Sequence, residues 1–158
     1  MQFKTVSKRI GDHKYTVTQL NAVTGRKALL RLTKIMGPVI TEGFKGGQMA
    51  GYAAVAQSLT ETELDYFCDL FAGQTTVLGG DYVDDGAQLD AIFGEHFADR
   101  YFEMFEWLTF ALEVNFGSFF LGLAKKFAEA LKKAKDVQKD VSAIASDSPS
   151  TSTSGSGD

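Results

Sequence analysis

Cysteine is almost absent from this chain: Cys68 is the single copy in 158 residues, so no disulfide can form within it. That fits a reducing compartment. Histidine is nearly as scarce, and neither His13 nor His96 has a second ligand at metal-binding spacing. The first ten residues lack the apolar core of a signal peptide. In the apolar C-terminal half the longest charge-free run, Val114 to Ala124, falls short of the ~18 residues that a membrane span needs. An excess of basic charge is missing too. A net charge of −4 is poorly suited to gripping nucleic-acid phosphates. These absences lead to the expectation of a soluble, cytoplasmic protein that binds neither membrane, metal nor cofactor.

Apolar residues make up 44% and charged residues 23%, the balance of a water-soluble globular domain. A chain of this length can form one domain that buries roughly two thirds of its unfolded surface. Thirteen Phe stand against one Trp, so the placement of the Phe rings decides most of the burial. Residues 3–20 alternate loosely around Gly11-Asp12, which predicts a short β-hairpin. A helix follows, with Thr24 as its cap, Ala28, Leu29, Leu32 and Ile35 on one face, and Gly37-Pro38 as its stop. The glycines at 43, 46, 47 and 51 predict a loop before a helix over about 48–59. Thr60-Glu61-Thr62-Glu63 is a capping box, and the helix behind it places Leu64, Phe67, Cys68 and Phe71 on one face. Short strands are expected at 75–78 and 81–83. The chain is helical again from Leu89, with a break near Gly94, a long helix over 95–115, and a stop and restart at Asn115-Phe116-Gly117-Ser118. The final helix runs through Ala124, Phe127 and Leu131 into lysines. The expected fold is therefore mainly α, one helical domain over 1–145 with a short N-terminal hairpin. Residues 146–158, without an apolar side chain, are expected to form a disordered tail.

Each candidate for chemistry fails on spacing or context. His13 in the hairpin turn is expected to be solvated, and His96 to be exposed or to act as a cap. Cys68 shares a face with Leu64 and Phe71, where a thiol is buried and inert. The acidic loop of Asp81, Asp84, Asp85 and Asp90 puts Val83 and Ile92 where a calcium loop needs ligands. No Gly-Lys-Ser/Thr follows glycines 43, 46 and 47, so they form no phosphate loop. Asp99, Glu103 and Glu106 read as a solvated acidic stripe. Lys125, Lys126, Lys132, Lys133, Lys135 and Lys139 make the last helix basic, but its aromatic residues lie upstream of the lysines, which disfavours nucleic-acid binding. No catalytic constellation remains, and a binding role is expected instead.

The aromatic residues point to that role. Phe97, Tyr101, Leu108 and Leu112 share one face of the long helix, while Phe102, Trp107, Phe110 and Val114 lie on others. A helix that is apolar nearly all round is central in its fold or covered by a partner. On the partner reading, Trp107, Phe110, Phe116, Phe119 and Phe120 form the binding surface; on the other they are core.

The run Ala111-Leu112-Glu113-Val114-Asn115-Phe116-Gly117-Ser118-Phe119-Phe120 resembles a feature of tail assembly chaperones of long-tailed bacteriophages. His96-Phe97-Ala98-Asp99-Arg100-Tyr101, Trp107-Leu108 and the opening Ile10-Gly11-Asp12-His13-Lys14-Tyr15-Thr16-Val17 are similar to theirs as well. The resemblance spans about residues 4–135. It implies a non-enzymatic protein of the infected bacterium's cytoplasm that coats the tape measure protein, recruits tail tube subunits and is absent from the finished virion. It also implies a longer form of the chain made by frameshifting as a partner; the aromatic surface itself would cover an apolar helix of the tape measure or sit between copies of the chain in a homo-oligomer. The alternatives are a structural tail protein, such as a completion or connector subunit, and a small nucleic-acid-binding regulator.

Overall fold

A computed structural model describes residues 2–43 and 56–145. The elements run β1 (Thr5–Ile10), β2 (His13–Thr18), α1 (Ala22–Gly43), α2 (Glu61–Ala72), β3 (Thr75–Gly79), β4 (Tyr82–Gln88), α3 (Leu89–His96) and α4 (Tyr101–Ala145). The fold is mainly helical and opens on the expected hairpin. The loop and most of the helix expected over 43–59, and the tail at 146–158, lie outside the described residues; 56–58 are helical. The chain divides into two compact units, residues 1–121 and 122–158.

In the first unit the hairpin does not stand alone. The two short strands expected at 75–78 and 81–83 are longer, and together the four make one antiparallel sheet in the order β1-β2-β3-β4. Thr5 pairs with Thr18 and Ile10 with His13 across the first hairpin, and Tyr15 pairs with Val77 and Val17 with Thr75 across the centre. A lone hairpin is marginal in water, whereas four strands with one apolar face are not. Along β2 the buried residues alternate as His13, Tyr15 and Val17, with Lys14, Thr16 and Thr18 on the other face.

The helices cover that inner face. Asn21, not Thr24, caps α1: its side-chain oxygen accepts the Thr24 N–H at 2.9 Å. α1 also continues through Gly37-Pro38. Proline removes one helical hydrogen bond, but its fixed φ suits a helix, and the buried Ala28, Leu32 and Met36 anchor the preceding turns. The box at Thr60 forms as expected, with Glu63 accepting the Thr60 N–H at 3.1 Å and its hydroxyl at 2.9 Å. Phe67, Cys68 and Phe71 are buried on one face of α2, and the Arg31 guanidinium lies 4.1 Å over the Tyr66 ring.

Two expected breaks fall elsewhere. α3 runs through Gly94, and the chain turns instead at 97–100, where Asp99 takes φ 60°. Asp tolerates this left-handed conformation better than most residues because its short side chain can bond locally. Asn115-Phe116-Gly117-Ser118 is no break at all, since α4 passes through it. Asn115 donates to Ala111 O at 2.9 Å within its own helix and accepts the Leu20 N–H at 2.8 Å. Its amide therefore ties α4 to the chain leaving β2 and caps nothing.

By length and composition α4 is apolar enough to cross a membrane, contrary to the count of charge-free residues, and half of its most apolar window is buried inside protein. Trp107, Leu108, Ala111 and Leu112 are fully enclosed. The Trp107 ring lies 5.7 Å from Phe93 and 5.6 Å from Phe97, and its N–H donates to Thr75 Oγ1 at 3.3 Å. Thr75 in turn donates to Phe71 O at 2.7 Å. Trp107→Ala should empty this centre and cost about 3–5 kcal/mol, read as a lower urea midpoint; an unchanged midpoint would remove Trp107 from the core.

Candidate functional site

Where the sheet meets α3 and the start of α4, five polar side chains converge, three of them buried, Glu103 half-buried and Arg100 exposed at the edge. His13 and Tyr15 come from alternate positions of β2, so both point inward. His96 ends α3, Arg100 closes the turn, and Glu103 lies in the first turn of α4. His13, Tyr15 and His96 are each at most 5% exposed, which contradicts the expected solvated His13 and exposed or capping His96. Glu103 leaves the expected acidic stripe, its side chain 16% exposed, while Asp99 and Glu106 are solvated. Two turns close over the cluster through glycines at positive φ. A Cβ on Gly11 would sit 3.1 Å from Glu103 Oε2, and one on Gly80 would sit 2.7 Å from His13 Nε2.

The donors and acceptors fit only one arrangement. Tyr15 has one proton, and donates it to Glu103 Oε1 at 2.6 Å. Its oxygen can then only accept from His96 Nε2 at 2.7 Å, which makes His96 the Nε2–H tautomer. His13 Nδ1 donates to the same Glu103 oxygen at 2.8 Å, and the Arg100 guanidinium lies 3.4 Å from His13 Nε2. Burial keeps His96 neutral, and the Arg100 guanidinium brings a positive charge to the edge of the cluster. His96 Nδ1 is left over, a buried lone pair with no partner among the described residues.

Burial dominates the electrostatics. It pushes His96 down to about 4, with His13 and Arg100 adding to the effect against the opposing pull of Glu103. Burial, then the hydrogen bond and charge of Glu103, hold the Tyr15 phenol far above its ordinary range. Burial, with Asp65 and Asp69 adding, pushes the Cys68 thiol up to about 12, so it stays protonated and unreactive.

His13, His96 and Glu103 bring three ligand-capable atoms within 4.8 Å of one another. A tetrahedral metal with bonds of roughly 2.0–2.1 Å holds its ligands about 3.3 Å apart. The contacts here have hydrogen-bond lengths of 2.6–2.8 Å, and the Tyr15 hydroxyl fills the middle. The Arg100 cation beside His13 opposes a second positive charge. The arrangement suits a junction that pins the sheet to two helices. Of its members, alternate placement of His13 and Tyr15 on a strand was the readable signal; the convergence with Glu103 depends on the turn at Asp99.

The five rings expected to bind partners separate. Trp107, Phe110, Phe116 and Phe120 are core, at most 4% exposed, and Phe119 is 40% exposed. Other aromatic side chains lie outside: Phe102 is 78% and Tyr101 66% exposed, although Tyr101 was expected to share a face with Phe97, Leu108 and Leu112, which are buried. Phe102 borders a hollow of about 220 Å³ with Lys8, Ala56, Phe105, Glu106 and Thr109. A wider groove of about 540 Å³ lies between β1 and α4, lined by Val6, Phe110, Val114 and Leu121 with Lys4 and Glu113 among its polar residues.

A family model described as phage tail assembly chaperone protein, TAC, matches residues 11–128. No curated protein and no solved structure matches the chain. The matched segment contains the whole polar junction and the exposed Phe102.

The junction makes stability depend on pH with a definite sign. His96 titrates near 6.5 unfolded and near 4 folded, so between these values the unfolded chain binds more protons. Its contribution is complete above pH 6.5 and is lost as the pH falls toward 4. His96→Gln keeps an N–H for Tyr15 but cannot titrate. In thermal melts from pH 7 to 4.5 the parent should lose more stability than the variant, and parallel pH profiles would refute the assignment.

Proposed function

The chain belongs to the phage tail assembly chaperone protein family, and from that premise we propose that it binds the tape measure protein during tail morphogenesis and helps bring tail tube subunits to it. It acts by binding and not by catalysis, in the host cytoplasm, and leaves before the virion is finished. A longer frameshifted form of the same chain is a further partner on this reading.

The observation that carries it is the exposed Phe102, beside the half-buried Phe105 and an open hollow. A large ring held in water next to an unfilled apolar hollow marks an interaction site. The masking surface therefore differs from the ring set expected from sequence: four of those rings support the fold, and Phe102, Tyr101 and Phe119 remain to meet a partner. An apolar helix of the tape measure would lay its side chains over these rings and be kept from aggregating. Burying one Phe side chain contributes roughly 1.5–3 kcal/mol before association costs.

Phe102→Ala should lower affinity for the tape measure about ten-fold and reduce the soluble tape measure recovered on co-expression, with the melting temperature of the chaperone unchanged. Equal recovery with the variant would sink the masking surface. Mass spectrometry of purified particles tests the role as a whole: abundant chain in the virion would favour a structural tail subunit.

A further inference from the structure

The second unit offers a surface of a different kind. Its described part is the helix from Gly122 to Ala145, in which each described side chain from Ala128 to Ala143 is exposed. Leu131, Val137 and Val141 are 50%, 62% and 60% exposed. Leu123, Ala130, Ala134, Val137 and Val141 fall on one seam at intervals alternating between three and four, with Phe127 and Ile144 on the same repeat in sequence. This is the heptad pattern of a helix that packs along another helix. Lys125, Glu129, Lys132, Lys135, Asp136 and Lys139 occupy the outer positions, which keeps that face in water.

We infer that this seam pairs antiparallel with the same helix of a second copy of the chain. The seam is self-complementary in one register. With Val141 opposite Ala130 of the second copy, Ala134 falls opposite its Val137, and two-fold symmetry repeats both layers. Each of these four layers sets a large side chain against a small one, which is how facing positions interdigitate without voids. The flanking charges agree, because this register brings Lys133 beside Asp140 of the second copy, twice per dimer. A parallel pair would place Ala on Ala and Val on Val, leaving voids in some layers and crowding others. It would also leave Lys126 and Lys133 facing Leu131 and Gln138, with no countercharge. The inference does not depend on the tape measure as a partner.

The test is sedimentation equilibrium of the full chain over a wide concentration range. The expected result is a monomer–dimer equilibrium that V137D/V141D abolishes, with the circular dichroism of the folded unit retained because both side chains are exposed. K133D, which sets one carboxylate against another at Asp140, should weaken the dimer several-fold, and K133D/D140K should restore it. A parent chain that stays monomeric throughout, a dimer that survives V137D/V141D, or a double charge reversal that fails to rescue K133D would each overturn the inference. So would a monomeric chain whose seam is covered only by a tape-measure helix. Loss of tape-measure binding in Phe102→Ala leaves these readings untouched, so the two ideas fail separately.

Discussion

A carboxylate drawn largely out of water must be hydrogen-bonded, and Glu103 meets that demand with α4 placed as it is against the sheet. One of its oxygens accepts from Tyr15 at 2.6 Å and from His13 at 2.8 Å, both on β2. Fixing Glu103 fixes the rest of a row one turn apart along the helix: Glu103, Trp107, Ala111 and Asn115. Trp107 then reaches Thr75 on β3, and Asn115 reaches the Leu20 N–H just past β2. Polar groups stand at both ends of that row and apolar ones in the middle. The hydrogen bonds set its register, and the burial of Trp107 and Ala111 supplies most of the stabilisation.

This coupling explains what could be read from the sequence. Features set by near neighbours were legible: the Gly11-Asp12 hairpin, the Thr60–Glu63 box, and the face of α2 that buries Phe67, Cys68 and Phe71. Features set by distant contacts were not. Asn115-Phe116-Gly117-Ser118 has the composition of a helix stop, but Phe116 is buried and Asn115 is bonded to Leu20, so tertiary packing overrides the local preference. His13 looked solvated because it follows a tight turn; the partners that bury it lie about ninety residues away. The motifs that carry the family resemblance did contain His13, Tyr15, His96 and Arg100.

The rings of α4 divide by the same constraint. With Glu103 turned inward, Trp107 and Phe110 follow it into the core, while Phe102 faces water. Sequence could show only that the helix was apolar on several faces. Which rings fold the protein and which remain for a partner depends on the rotation of the helix, and that rotation is set by one hydrogen-bonded carboxylate. The His96 ring contributes to the same fixation, since a neutral Nε2–H is what the Tyr15 oxygen requires once its own proton goes to Glu103.

Phe102 and Glu103 are neighbours in the chain, about 100° apart around the helix. Anchoring one therefore orients the other. A ring on a mobile segment would lose conformational freedom on meeting a partner, which subtracts from affinity. Here the backbone beneath Phe102 is already held by a buried junction, and the ring itself has only two side-chain torsions to settle. On the proposed masking role the polar cluster bears on binding without touching a partner: it holds in water an apolar residue that could have joined the core, already positioned for contact. That is a reason for the fold to gather two histidines, a tyrosine and a carboxylate at this point, where apolar side chains of similar volume could have supplied stability alone.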